Sequence, residues 1–365
     1  MKYVLSLIIL IHGLIHFMGF MKAFGVGNIT QITKEIARPV GILWLMTSIL
    51  FIVGAIMYLL QKDYWPIVVF ISVVISQVLI IMVWHDAKFG TILNGLLLVI
   101  AIIGWSSQVF ESKFQSEVKT HLDNSRDVQT DLLTEVDIEP LPDPVKKYIR
   151  YSGSLNQPKV KNVRIVFDGE MRGKENDWFD FTSLQYNFFT DPSRLFFMKA
   201  RMFGVTVLGY HKYQNERASM NIKLLGLIPV SQASGLEMNK AETVTFFNDM
   251  CMFIPAALID KRIEWEPIDA NSVKATLTNG SIAISAILYF NQEGQLINFI
   301  SDDRYDVNEM KQYRFSTPLS NYKLIGGRNL STYGEGIWHY PDGEFTYGKF
   351  YLKNIEYNVK VFEGE

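Results

Sequence analysis

Four apolar runs fill most of the first 110 residues: Tyr3–Phe20, Val40–Leu60, Pro66–Val83 and Ile92–Val109. Each is close to the roughly 20 residues that an α-helix needs to span hydrocarbon. Inside a bilayer only helices and closed barrels satisfy every backbone hydrogen bond, so residues 1–110 read as an α-helical membrane domain of four spans. Aromatic side chains gather near the run ends, among them Tyr3, Phe20, Trp44, Tyr58, Tyr64, Trp65, Trp84 and Trp105, as an interfacial belt places them. The first run has the look of a signal peptide, but no small-residue cleavage motif follows it and three more runs do.

An even number of spans puts the N-terminus and the rest of the chain on the same side. Basic residues do not decide which side: Lys22, Lys34, Arg38 and Lys88 follow runs one and three, against Lys2, Lys62, Lys113 and Lys119 opposite. Of the 35 basic and 37 acidic residues, only six and three fall in the first 110, so the remainder holds 29 against 34, a net charge of −5. That balance excludes the basic footprint of a nucleic-acid binder. The single cysteine, Cys251, excludes an internal disulfide and any multi-cysteine metal site.

Ionisable residues within the apolar runs stand out because they are costly there. His12 and His16 are four apart and share a helix face, and His85 and Asp86 close the third run. Runs one and three end on the same side, which places His16 near the level of His85 and Asp86. Two readings are open: a metal, haem or proton-relay site, or neutral histidines hydrogen-bonded within the bundle.

Residues 111–140 form a polar linker or helical extension, ending in the alternating Pro140, Pro142 and Pro144. Residues 141–365 read as a β-rich soluble domain. Asp143 and Pro144 start a short helix over Val145–Tyr151. Strand patterns follow at Val163–Met171, Trp178–Thr190, Arg194–Phe203 and Val205–Asn215, then at Ile263–Ile268, Val273–Thr278, Ile282–Phe290 and Leu296–Tyr305. Tyr322–Ile325, Asn329–Tyr340 and Glu344–Val361 complete the meander, with Asn279-Gly280 as a hairpin signal. The expected fold is a mainly antiparallel curved sheet or incomplete barrel of about ten to eleven strands. One long amphipathic helix, Asn239–Asp260, breaks the strand pattern and is expected on the concave face. Its apolar stripe is Val244, Phe247, Cys251, Ile254 and Leu258, with Asn239 as N-cap and Glu242 completing a capping box.

Soft and aromatic residues accumulate around that helix. They include Phe196, Phe197, Met198, Met202, the run Leu224–Val230 and Met250–Leu258. They fill a core, or they line a cavity for an apolar ligand, in which case Phe197, Met202, Leu225, Phe247, Met250, Cys251 and Ile254 are the expected lining. Catalytic motifs are missing: there is no G-x-S-x-G, H-E-x-x-H, P-loop or Rossmann glycine pattern, and no cofactor is implied. Asp302, Asp303 and Asp306 form the best acidic cluster, which strand alternation splits between two faces.

Several strings resemble an uncharacterised bacterial membrane protein family. They are His12-Gly13-Leu14-Ile15-His16, Asp86-Ala87-Lys88-Phe89-Gly90-Thr91 with Asn94, Leu141-Pro142-Asp143-Pro144-Val145-Lys146-Lys147-Tyr148, Pro255-Ala256-Ala257-Leu258, Trp265-Glu266-Pro267-Ile268-Asp269 and Tyr347-Gly348-Lys349-Phe350. The β-domain is similar at fold level to periplasmic lipoprotein carriers, whose incomplete barrel is lidded by helices around an apolar cavity. The resemblance implies a multi-pass protein of the bacterial cell membrane with an extracytoplasmic domain that binds a lipid, an acylated molecule or another apolar molecule. A structural or interaction module with a filled core, and an unrecognised hydrolase or isomerase, are the alternatives.

Overall fold

The sequence gives way to structure first in the helices. A computed structural model describes residues 2–125, 131–175, 177–202 and 204–364. Four helices are long and apolar enough to cross a membrane: α1 (Lys2–Phe24), α2 (Arg38–Leu59), α3 (Trp65–Met82) and, after the short α4 (Trp84–Ala87), α5 (Gly90–Ser125). Pro39 and Pro66 sit in the first turns of α2 and α3, where a missing N–H leaves nothing unpaired. Helix α1 lies against α2 closely enough that a Cβ on Gly19 would fall 2.1 Å from the Trp44 ring. A glycine is therefore required at that crossing.

Helix α5 continues well past the fourth apolar run. The chain divides into two units, Met1–Phe110 with Leu225–Leu227, and Glu111–Leu224 with Ile228–Glu365, so the last turns of α5 belong to the second. There Phe114, Val118 and Leu122, four residues apart, are buried on one helix face. The expected linker is thus helical as far as Ser125, while residues 126–130 of it, and Phe203, lie outside the described residues.

The second unit opens with α6 (Glu135–Ile138) and α7 (Asp143–Tyr151). Strands β1 (Asn162–Met171), β2 (Phe179–Phe188), β3 (Ser193–Met202), β4 (Val205–Gln214), β5 (Arg217–Leu224) and β6 (Ile228–Ser234) follow, then helix α8 (Leu236–Phe253) and a 3-10 turn at Pro255–Ile259. The remainder is β7 (Ile263–Pro267), β8 (Ser272–Asn279), β9 (Ile282–Phe290), β10 (Leu296–Ser301), β11 (Tyr305–Asp306), β12 (Lys311–Gln312), β13 (Arg314–Ile325), β14 (Arg328–Tyr340) and β15 (Gly343–Tyr357). Thirteen strands make one open antiparallel sheet in the order β6-β5-β4-β3-β2-β1-β15-β14-β13-β10-β9-β8-β7, and β11 and β12 pair separately.

The count exceeds the ten or eleven expected because β5 and β6 were hidden. Their turn is Leu225-Gly226, with φ of 54° and 66°, and the turn before β5 is Asn215-Glu216, with φ of 51° and 61°. Leu and Glu are unusual at positive φ, so neither turn carries a glycine–asparagine signature.

Helix α8 starts at Leu236 rather than Asn239, behind Gly235 at φ 104°. Asn239 does not cap it; its Oδ1 accepts the backbone N–H of Ala218 at 2.6 Å. Val244, Phe247, Cys251, Ile254 and Leu258 are all 0% exposed, as the apolar stripe requires. Yet Glu242, Thr243, Asn248 and Asp249 are buried too. Beyond its first turn the helix therefore has no wet face. It packs against β4, β5 and β6 towards one end of the sheet order, and against β9, β10 and β14 on the other side of β1.

A helix end buried this deeply needs partners for its last carbonyls. Tyr148 on α7 supplies one, its hydroxyl reaching Cys251 O at 3.0 Å and Met252 O at 3.2 Å, and the Tyr357 hydroxyl donates to Phe253 O at 2.7 Å. Tyr148→Phe removes the one hydroxyl proton that Cys251 O and Met252 O share and is expected to cost about 1–2 kcal/mol. Thermal melts of the full chain followed by near-UV dichroism check this, and an unchanged midpoint would remove Tyr148 from the account.

Candidate functional site

Beside α8 the β unit holds a pocket of about 850 Å3. Two periodicities aim side chains into it. On β3, Phe196 and Met198 line the pocket while Phe197, one residue out of phase, faces the other way and stacks on Phe114 at 5.3 Å. On α8, Ala241, Thr245, Asn248 and Met252 line it, a stripe spaced by three and four on the side away from Phe247 and Cys251. Phe167, Phe179, Met220, Phe253, Phe315 and Phe350 add apolar wall. Exposed Lys174, Glu175, Asn308 and Glu309 edge the pocket, so it reaches the surface there. Lys174 Nζ and Glu309 Oε1 pair across that edge at 2.6 Å.

The helical wall also carries charge. Arg194, 7% exposed, donates to Asp249 Oδ2 at 2.7 Å, Glu242 Oε2 at 3.1 Å and Gln185 Oε1 at 3.1 Å. Asp249 Oδ2 further accepts from Gln185 at 2.7 Å and Asn187 at 3.2 Å, and His211 Nδ1 lies 3.2 Å from Glu242 Oε1. Burial alone would raise the Glu242 carboxyl, but the charges of Arg194, His211 and Arg304 hold it down at about 2. Such a cluster tolerates burial only because nearly every lone pair and proton is matched. Glu242, expected as a capping residue, is thus a buried ion-pair partner.

The other residues singled out from the sequence fall elsewhere. Phe247, Met250, Cys251 and Ile254 belong to the main core of the β unit. Met202 borders a second cluster with Phe181, Phe196 and Met198. Leu225 occupies the β5–β6 turn. Phe197 lies on the opposite sheet face, and none of the seven is among the residues lining the pocket. Asp302 pairs with Arg314 at 2.8 Å, Asp303 with Lys240 at 2.8 Å, and Asp306 accepts from the Tyr340 hydroxyl at 2.7 Å, so each acid has its own partner.

In the helical unit His12 Nε2 donates to Asn94 Oδ1 at 2.9 Å, and His16 Nδ1 donates to His12 O at 2.9 Å. Asn94 also engages Ser76 and Gln77 at 2.9 and 3.0 Å. His85 and Asp86 do not join them: Asp86 accepts from the backbone and hydroxyl of Thr33, and the His85 side chain is 97% exposed. Among the described residues no three His, Cys, Asp or Glu side chains are grouped to hold a metal ion. Asn94 was the member of this network that the two histidines alone could not indicate.

Four long apolar helices followed by a large antiparallel sheet with a helix-walled pocket define the class of protein. Within it, the chain belongs to the DUF6544 family, a family of unknown function whose profile covers residues 131–350. No curated protein matches the chain in sequence. Among solved structures it is similar to a Vibrio parahaemolyticus domain assigned provisionally as an outer membrane lipoprotein-sorting protein, at 9% identity and a TM-score of 0.34 over 56% of this chain and 88% of that one. It is also similar to a LolA superfamily protein from Nitrosomonas europaea, at 8% identity and a TM-score of 0.31 over 61% of this chain and 93% of that one.

Two stability outcomes follow from the Arg194 cluster. Arg194→Leu strands two buried carboxylates and is expected to cost about 3–5 kcal/mol. Glu242 has a folded value near 2 against 4.5 for the free side chain, so its contribution is complete above pH 4.5 and is lost as pH falls towards 2. Melting temperature measured across that window should fall more steeply for the wild type than for Glu242→Gln; parallel slopes would show that the ion pair does not carry the acid sensitivity.

Proposed function

We propose that the β unit binds a lipid, an acylated molecule or another apolar molecule in the pocket beside α8, and that the four apolar helices hold it at the bacterial cell membrane. The observation that carries this reading is the pocket itself: about 850 Å3, with seven phenylalanines and a set of methionines among its wall residues. Five of the chain's 14 methionines line it, Met171, Met198, Met220, Met238 and Met252. Their unbranched thioethers adapt to chains of varied length and unsaturation. Each methylene that enters leaves water and contributes about 0.8 kcal/mol. A filled interaction module has no use for such a volume.

In this reading the sheet curls so that α8 lies in its hollow, and the unbroken core stripe Val244–Leu258 fixes the helix while its other side meets the ligand. The β unit would lie outside the cytoplasm, as the fold-level resemblance to periplasmic carriers implies. Reporter fusions at the C-terminus check the side: alkaline phosphatase should be active there and green fluorescent protein dark, and the reverse pattern would move the unit inside.

Binding is tested with the full chain in lipid nanodiscs and a palmitoyl probe bearing a diazirine in its chain. Illumination should label Met198, Met220 or Met252, and Ala241→Trp, which fills the pocket from α8, should abolish that labelling. Labels confined to the four apolar helices would end the proposal.

A further inference from the structure

The pocket's polar contacts bear on what kind of head group it accepts, and this step rests on the apolar-ligand reading above. Charge is balanced along the inner wall. Arg194 and Arg304 stand against Glu242 and Asp249. Arg304 stacks 3.8 Å over the Phe315 ring and 5.1 Å from Trp338, and its guanidinium makes no ion pair with any described residue. Its charge instead acts on Glu242. Over the whole lining six carboxylates, Glu175, Glu242, Asp249, Asp306, Glu309 and Glu335, face four cations, Arg172, Lys174, Arg194 and Arg304. No surplus of positive charge waits for an anion. The other four carboxylates do not make a seat for a cation either: Asp306 is engaged by Tyr340, Glu309 by Lys174 and Glu335 by the Tyr333 hydroxyl, and Glu175 stands exposed at the pocket edge.

What is left unspent is neutral. Asn248, 6% exposed, lines the pocket and donates through Nδ2 to Thr317 Oγ1 at 2.8 Å. Its Oδ1 is buried and has no hydrogen-bond partner. The Thr317 hydroxyl accepts that bond and donates to no described residue. Turning the amide over leaves Nδ2 as the unpaired end instead, and a hydroxyl or amide head, which both donates and accepts, satisfies either orientation. A buried amide oxygen without a donor costs free energy that a ligand hydroxyl or amide N–H would recover, whereas a carboxylate or phosphate offers no proton to it. A net charge brought to a wall that is already balanced must also be desolvated without a counter-charge.

We infer that the pocket is selective for an amphiphile with an uncharged, hydrogen-bonding head, of the acylglycerol or acyl-amide class. The head sits against Asn248 and Thr317, and the chain runs along Phe196, Met198 and Met252. Head and chain are thus both inside, with the charged edge at Lys174 and Glu309 left in solvent.

The test uses the same nanodisc-held full chain and diazirine palmitoyl probe, with unlabelled competitors at matched mole fractions in the bilayer: monooleoylglycerol, oleate and oleylamine, which share one chain and differ in head charge. Monooleoylglycerol is expected to halve pocket labelling at a roughly tenfold lower level than either charged competitor, the size of one or two hydrogen bonds plus an avoided desolvation. Asn248→Leu should bring the three competitors together while labelling of Met198 and Met252 persists, which also shows the variant to be folded. If oleate or oleylamine competes as well as monooleoylglycerol in the wild type, the head-group inference is wrong and the apolar pocket stands. If no pocket residue is labelled at all, the pocket reading fails and this inference goes with it.

Discussion

A helix buried on every side must find a partner for each polar group it carries, and much of the β unit is organised by that demand on α8. Glu242 and Asp249 are more than nine-tenths buried, and a lone arginine from β3 answers both. Gln185 and Asn187 on β2 add two further donors to Asp249 Oδ2. The carbonyls at the far end take hydroxyls from Tyr148 and Tyr357, one from before the sheet in sequence and one from its final strand. Helix and strands are thereby keyed to one another at both ends. Hydrophobic contact alone would let such a helix slide or rotate; discrete hydrogen bonds to separate strands hold its register.

The same demand separates packing from binding. The apolar stripe of α8 is consumed by the core, where Val244, Phe247, Cys251 and Ile254 are wholly buried. The side that meets the pocket is the mixed one, with Ala241, Thr245, Asn248 and Met252. Space remains where the helix presents short or polar side chains, opposite strands that present Phe196, Met198 and Phe350. Both walls are mixed: the sheet also contributes Gln185, Arg194, His211 and Thr317, and the helix contributes Met238 and Phe253.

How much of this could be read from the chain depended on whether a residue's surroundings were set locally. The four long apolar helices were legible because length and apolarity suffice, and the hairpin at Asn279-Gly280 was legible because Gly280 takes φ 56° between the paired Asn279 and Ile282. Strands β5 and β6 were not, since Leu225 and Glu216 adopt left-handed backbone that their side chains do not advertise. The residues expected around a cavity do not overlap with those around this pocket for a different reason. Ser193–Met198 on β3 are buried on both faces, one by the last turns of α5, so no alternation marks which parity looks inward. On α8 the apolar stripe was the natural candidate for a greasy cavity, but the core competed for it and won. Arg194 was the available clue: an arginine directly before the apolar run Leu195–Met198, with two acids seven residues apart on α8.

The sheet order places β15 between β1 and β14, so the earliest and latest strands of the β unit are neighbours. Strands β1 to β6 can zip up as successive hairpins during synthesis, and so can β7 to β10 with β13 and β14. Until β15 emerges from the ribosome, nothing joins the two halves through the sheet, and α8 is left between them with its ion pairs formed on one side alone. The four apolar helices are thus made long before the pocket beside α8 is whole. Ribosome stalling or proteolytic trimming within Gly343–Tyr357 would release a nascent species with two open β-edges in the middle of what should be a continuous surface, an invitation to chaperone capture or to pairing with a second unfinished copy.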